Sequence, residues 1–150
     1  MGVGVREGAP RPDISTTDAF KQALVATRSI TYVDPAQGAT SGIHFASLLQ
    51  KLGIADAVKS KTTLVPGGYP AELVARGEVE MVVHQISEIV PVKGVTLVGP
   101  LPKELQKVTT YSAGLAKKAA SPEVARAFVA FLTAPATKAK LAAAGLDYKE

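Results

Sequence analysis

The chain has 150 residues, 47% of them hydrophobic and 20% charged, with a formal net charge of +4, which suits one globular domain or lobe able to bury about two-thirds of the surface its unfolded form exposes. The absence of cysteine excludes disulfides, thiolate metal sites and a cysteine nucleophile. No apolar run approaches the ~20 residues that span a bilayer, no signal pattern follows Met1, and the basic residues lack the interleaved aromatics of a stacking platform, so no nucleic-acid partner is expected.

Met1 to Arg6 reads as a short extended run closed at Gly8-Ala9-Pro10-Arg11-Pro12, where the prolines forbid helix. Ser15-Thr16-Thr17-Asp18 has capping-box spacing, and Phe20, Ala23, Leu24 and Thr27 then follow the helical repeat. Ile30 to Val33 predicts a buried strand. Ser41 to Leu52 is the clearest helix, with Phe45, Leu48, Leu49 and Leu52 on one face and Gly53 at its end. Thr62 to Val65 predicts a second strand, Tyr69 to Arg76 a short helix stopped by Gly77, and Glu80 to Gln85 a third strand.

This alternation implies right-handed crossovers and a mainly parallel sheet flanked by helices, an α/β three-layer sandwich. Val95 to Val98 and Val108 to Ala116 look strand-like, the latter long enough to cross between two bodies. Two helices follow. Ser121-Pro122-Glu123 opens the first, whose apolar face carries Val124, Phe128, Phe131 and Leu132, and Pro135 and Gly145 bound the second.

Two apolar runs end in small, glycine-containing loops that open helices, Asp34 to Gly42 and Pro66-Gly67-Gly68-Tyr69. The first amides of a helix lack intrahelical partners and carry the positive end of the dipole, so such loops can hold an anion without a cation. In a parallel sheet they lie beyond the carboxyl ends of the strands, where ligands bind, together with His84 and Gln85. Plainer roles exist for each: Thr40 or Ser41 can cap a helix, the glycines can form a turn, Tyr69 can be core and Gln85 can satisfy a backbone group.

Catalytic motifs are sparse. Ser41 adjoins the second glycine of Gly38-Ala39-Thr40-Ser41-Gly42, whereas a nucleophile elbow needs its serine midway between two glycines. His44 shares a face with Ser47 and Lys51 and is expected in solvent, which leaves His84 as the better acid or base. No carriage of either histidine by a carboxylate is evident from spacing, and there is no metal-ligand pattern or phosphate loop. No catalytic residue, cofactor or metal is therefore expected, and the chain is expected not to be an enzyme.

The run from Gly2 to Asp13, the stretch from Tyr32-Val33-Asp34-Pro35 through Thr40-Ser41-Gly42-Ile43, the Pro66-Gly67-Gly68-Tyr69 loop and the segment from Gly99-Pro100-Leu101-Pro102 to Tyr111 together resemble the second half of a periplasmic solute-binding protein of the molybdate-binding type. The resemblance covers nearly the whole chain. It implies the type II periplasmic-binding-protein fold, with residues 1–110 as one ligand-binding lobe and residues 111–150 as a crossing strand and helices that belong with a first lobe largely missing from this sequence. It also implies an anion held in a cleft by Thr40, Ser41, Gly42, Gly68, Tyr69 and Gln85, delivery to an ABC-type transporter permease, and a periplasmic location. Without a leader pattern the location would be cytoplasmic were Met1 the natural start.

Two departures from the family matter. The helices carrying Phe128 and Phe131 lack their usual support, so self-association into a homo-oligomer is expected. Where the molybdate-binding members carry a tyrosine after the apolar strand, this chain has His84-Gln85, so a small organic anion is as suitable as molybdate. Three readings follow: a solute-binding lobe first, then a small enzyme using His84 with Gln85 or Glu88, and a stand-alone effector-sensing module.

Overall fold

The computed structural model describes residues 1–147. The chain divides into two compact units, Met1–Lys107 and Val108–Glu150. The first holds a five-stranded sheet built from β1 (Gly2–Arg6), β2 (Ile30–Val33), β3 (Thr62–Val65), β4 (Met81–His84) and β5 (Val95–Pro100), in the order β3-β2-β4-β1-β5. β2 runs parallel to β3 and β4, while β1 is antiparallel to both β4 and β5. Four strands thus point one way and β1 alone is reversed.

Helices α1 (Thr17–Ala26), α2 (Thr40–Lys51) and α3 (Ala55–Lys59) cover one face, and α4 (Ala71–Ala75) and α5 (Ile86–Ile89) the other. Strand side chains alternate between faces. Met81 and Val83 join Phe20, Leu24, Phe45 and Leu48 in the larger cluster, and Val82 joins Ala71, Val74 and Ile89 in the smaller. His84 therefore falls on the α4–α5 face.

In the larger cluster Tyr32 meets Phe45 edge-on with ring centroids 4.8 Å apart, a pairing that adds roughly 0.5–1.5 kcal/mol to simple burial. Thr16 caps α1, its hydroxyl accepting from the Ala19 amide at 3.1 Å. α2 ends at Gly53, whose φ of 67° is the left-handed conformation that a side chain disfavours.

Two expected elements differ. The helix expected from Tyr69 starts at Ala71, because Pro70 occupies the cap position and the Tyr69 carbonyl accepts from the Glu72 amide. Residues 108–116 form no strand: their composition is strand-like, but a strand also needs a ladder partner for its amides and carbonyls, and no strand pairs with them among the described residues. The second unit consists of α6 (Pro122–Thr133) and α7 (Pro135–Ala143) after that irregular segment. Val124, Phe128 and Phe131 on α6 are 69%, 59% and 62% exposed.

Gly42 is buried in the first turn of α2, where a Cβ would lie 2.2 Å from the Val33 carbonyl oxygen at the end of β2. Backbone faces backbone there, so no rotamer change can relieve the clash. Gly42→Ala is expected to destabilise the first unit by about 1–3 kcal/mol, the usual range for overpacking, in urea denaturation; a loss below about 0.5 kcal/mol, within the ordinary surface-substitution range, would show that α2 does not depend on this approach.

Candidate functional site

Strand register draws one line of residues across the sheet. Gly2 pairs with both His84 and Pro100, Val33 pairs with Val65, and Ile30 pairs with Met81, which brings His84 level with Val33. The carboxyl ends of β2, β3, β4 and β5 therefore share an edge with the start of β1. Both helix-opening loops leave from this edge.

The first loop turns through a 3-10 segment at Pro35–Gln37, braced by Asp34 accepting from the Ala36 amide at 2.9 Å, and reaches α2 through Gly38 with φ 75°. Ala39 is the cap residue of α2 and makes no side-chain cap bond. Thr40, Ser41 and Gly42 are the first three helical residues, whose amides have no acceptor within the helix. Neither hydroxyl acts as the N-cap. Thr40 is exposed, Ser41 is buried at 6% exposure, and Gly42 seats the helix on β2.

In the second loop Gly68 adopts φ 75° and Tyr69 is half exposed. Gln85 is half-buried at the cap position of α5. His44 is not in solvent as expected: it is half-buried, and its Nε2 lies 2.8 Å from the Leu105 carbonyl. The segment after β5 folds back over that face, which helical periodicity alone does not reveal. Near the end of β5 a cleft of about 680 Å3 is lined by Arg11, Ser15, Pro100 and Lys103 among others.

His84 is the unusual group at this edge. It is 2% exposed, and its Nε2 lies against Glu88 Oε2, with Glu88 about one-third exposed. Burial drives the His84 pKa down to about 4; the Gly68 backbone opposes that shift and the terminal ammonium adds to it. Burial raises the Glu88 carboxyl above the ordinary range. The imidazole is thus neutral near pH 7, and its contact with Glu88 requires one proton between nitrogen and oxygen, supplied by either partner. Neither ring nitrogen completes a hydrogen bond of ordinary geometry, so the contact between the neutral imidazole and Glu88 is close but poorly aligned.

The pair combines the last residue of a strand with a residue of the next helix. The sequence offers Glu88 beside Gln85 as a partner for His84; the contact falls on Glu88, although four-residue spacing guarantees proximity only within one helix and not across a strand end. No group of three or more His, Asp or Glu side chains suited to a metal occurs among the described residues.

An α/β sheet with helices on both faces and two helix-opening loops at one edge is an arrangement suited to a ligand-binding lobe. The chain belongs to the bacterial extracellular solute-binding protein family, whose model matches residues 1–147. It is similar in structure to the substrate binding domain of a putative molybdenum ABC transporter from Clostridium difficile, with a TM-score of 0.75 at 16% identity over 99% of this chain and 63% of that one. At that identity the likeness bears on the fold alone. It is also 37% identical over 133 residues to an aconitate isomerase from a Pseudomonas species, covering 88% of this chain and 49% of the relative. The chain spans about half the length of that curated relative. An enzyme so similar over most of the chain overturns the expectation that this protein is not an enzyme, which rested on the lack of a recognisable catalytic motif.

A pH dependence follows from His84. The unfolded chain takes up the imidazole proton near pH 6.5, while the native protein resists it until about pH 4. Acidification through that window therefore favours unfolding, by up to about 3 kcal/mol. Glu88 works in the opposite sense above its unfolded pKa, because its raised native pKa binds a proton more readily than the unfolded carboxyl. Urea midpoints measured from pH 6.5 to pH 5 are expected to fall in the unmodified chain and to stay level or rise in His84→Gln; parallel curves would show that His84 does not set the slope.

Proposed function

We propose that this chain is one lobe of a solute-binding protein that holds a small polycarboxylate anion such as aconitate, and that His84 and Glu88 move a proton on that anion. The observation that carries the reading is the buried imidazole against a carboxyl of raised pKa, beside two helix-opening loops. A carboxyl group takes and returns a proton efficiently when its pKa is brought toward the working pH. Solvent reaches Glu88 and hardly reaches His84, so Glu88 is the group that meets the ligand and His84 orients it.

Aconitate has a methylene group next to a carbon–carbon double bond. Glu88 carboxylate would remove a methylene proton, breaking that C–H bond and forming its own O–H bond while the electron pair spreads over the three-carbon frame and the attached carboxylates. Return of the proton to the other terminal carbon forms a new C–H bond, leaves the double bond shifted and regenerates the carboxylate. The amides of Thr40, Ser41 and Gly42 can donate hydrogen bonds to the negative charge as it spreads. Gly68, Tyr69 and Gln85 supply further contacts at the same edge.

The family description supports an extracellular or periplasmic setting, and an ABC-type permease is the corresponding partner. Thermal shifts compare the ligands: aconitate should raise the melting temperature by linkage more than molybdate does. Incubated with aconitate in D2O, the protein should introduce carbon-bound deuterium, and Glu88→Gln should cut that rate by at least roughly 100-fold, within the usual contribution of acid–base catalysis. A stronger response to molybdate, with no deuterium uptake, would replace this reading with oxyanion binding alone.

The exposed face of α6 supports homo-oligomer formation by the isolated chain, since apolar patches of this kind mark interfaces. Light scattering after size exclusion should give a mass above the monomer at micromolar concentration, reduced to the monomer by Phe128→Asp with Phe131→Asp. A clean monomer without the substitutions would refute it.

A further inference from the structure

The opposite edge of the sheet carries a separate cleft of about 470 Å3, within the range of small-molecule sites. It lies at the amino end of β4, about 10 Å along that strand from His84. Val5, Val79 and Met81 contribute to its lining and are each 5% exposed or less. Ala23, Ala26 and Pro12 form part of its walls. Their small side chains leave the groove open and give it little rotamer freedom with which to collapse.

Three charged residues border this cleft, Arg6, Arg28 and Glu80. Two of them are committed to each other. Glu80 accepts from the Thr27 hydroxyl at 3.0 Å and the Arg28 amide at 2.8 Å, and pairs with the Arg28 guanidinium. Arg6, the last residue of β1, is exposed and makes no ion pair among the described residues. Its guanidinium lies over the turn at Gly77, where a Cβ would come within 3.0 Å of Arg6 Nη1. The glycine thus leaves room for the cation at the mouth of the groove.

We propose that this cleft is a second ligand site, distinct from the loop edge, for a small monocarboxylate with an apolar body. The carboxylate pairs with the Arg6 guanidinium, whose forked donors suit a bidentate contact, and the hydrocarbon covers Val5, Val79 and Met81. One free cation selects one carboxylate, because Arg28 is already paired with Glu80 and a second carboxylate would find no counter-charge. An amine is disfavoured by like-charge repulsion from Arg6.

Hexanoate serves as the probe, with hexanol and hexylamine as neutral and cationic controls, in amide NMR titrations of the full chain. Hexanoate is expected to shift the amides of Val5, Arg6, Gly77 and Met81 in a saturable way and to leave Gly68 and His84 unmoved. Arg6→Gln should weaken binding at least roughly tenfold, as expected for loss of a charged hydrogen bond. Ala26→Leu, which fills the groove from the exposed end of α1, should abolish it while Arg6 remains. Equal binding of hexanol, unchanged affinity in Arg6→Gln, no saturable shift, or shifts centred on Gly68 and His84 would each overturn the proposal.

Discussion

The approach of α2 to the end of β2 is the constraint on which the loop edge depends. With no side chain at Gly42, the helix can open directly over the Val33 carbonyl, and the amides of residues 40–42 come to lie beside the ends of β3 and β4. Farther along the same helix, Phe45 meets Tyr32 edge to face. One contact of backbone and one of aromatic rings therefore hold a single helix against a single strand. The helix dipole is aimed at the edge by packing, with no charged side chain needed to direct it.

The reversed strand supplies the other half of the geometry. Because β1 runs against its neighbours, its first residues sit between His84 and Pro100, and the Gln106 side chain ties the Met1 carbonyl to the segment following β5 with a 2.8 Å bond. Chain entry, the end of β5 and the buried histidine thus meet in a small region. Burial there governs the chemistry: the same desolvation lowers the basicity of His84 and raises the Glu88 carboxyl, and both shifts favour a neutral, proton-sharing pair over two separated charges.

Membership of a solute-binding family and 37% identity to an enzyme are compatible because a fold constrains function loosely. A protein that encloses its solute already performs the positioning that catalysis needs. What distinguishes carrying from converting is whether a group at the cleft can exchange a proton with the ligand. Amides and hydroxyls bind without exchanging one at neutral pH; a carboxyl held by a buried imidazole can.

Much of the lobe was legible from the sequence, for reasons tied to particular residues. Phe45, Leu48 and Leu49 define α2 by period, Gly53 and Gly77 end their helices through left-handed backbone, and the order of strands and helices leads to the observed layers and to both loops at one edge. The bounds of α6 and α7 and the apolar face of α6 follow from equally local signals, whereas the strand expected over residues 108–116 did not form because a strand-like composition cannot provide a ladder partner. Three matters were decided only in the tertiary structure. The reversal of β1 depends on pairing across the chain, His44 is withdrawn from solvent by a segment about 60 residues away, and Glu88 reaches His84 across a strand-to-helix junction. The sequence by itself determined which segments could bury a face and where the helices could open. Tertiary packing decided which of the polar groups were desolvated together, because desolvation depends on neighbours from every layer and local spacing records only those along the chain.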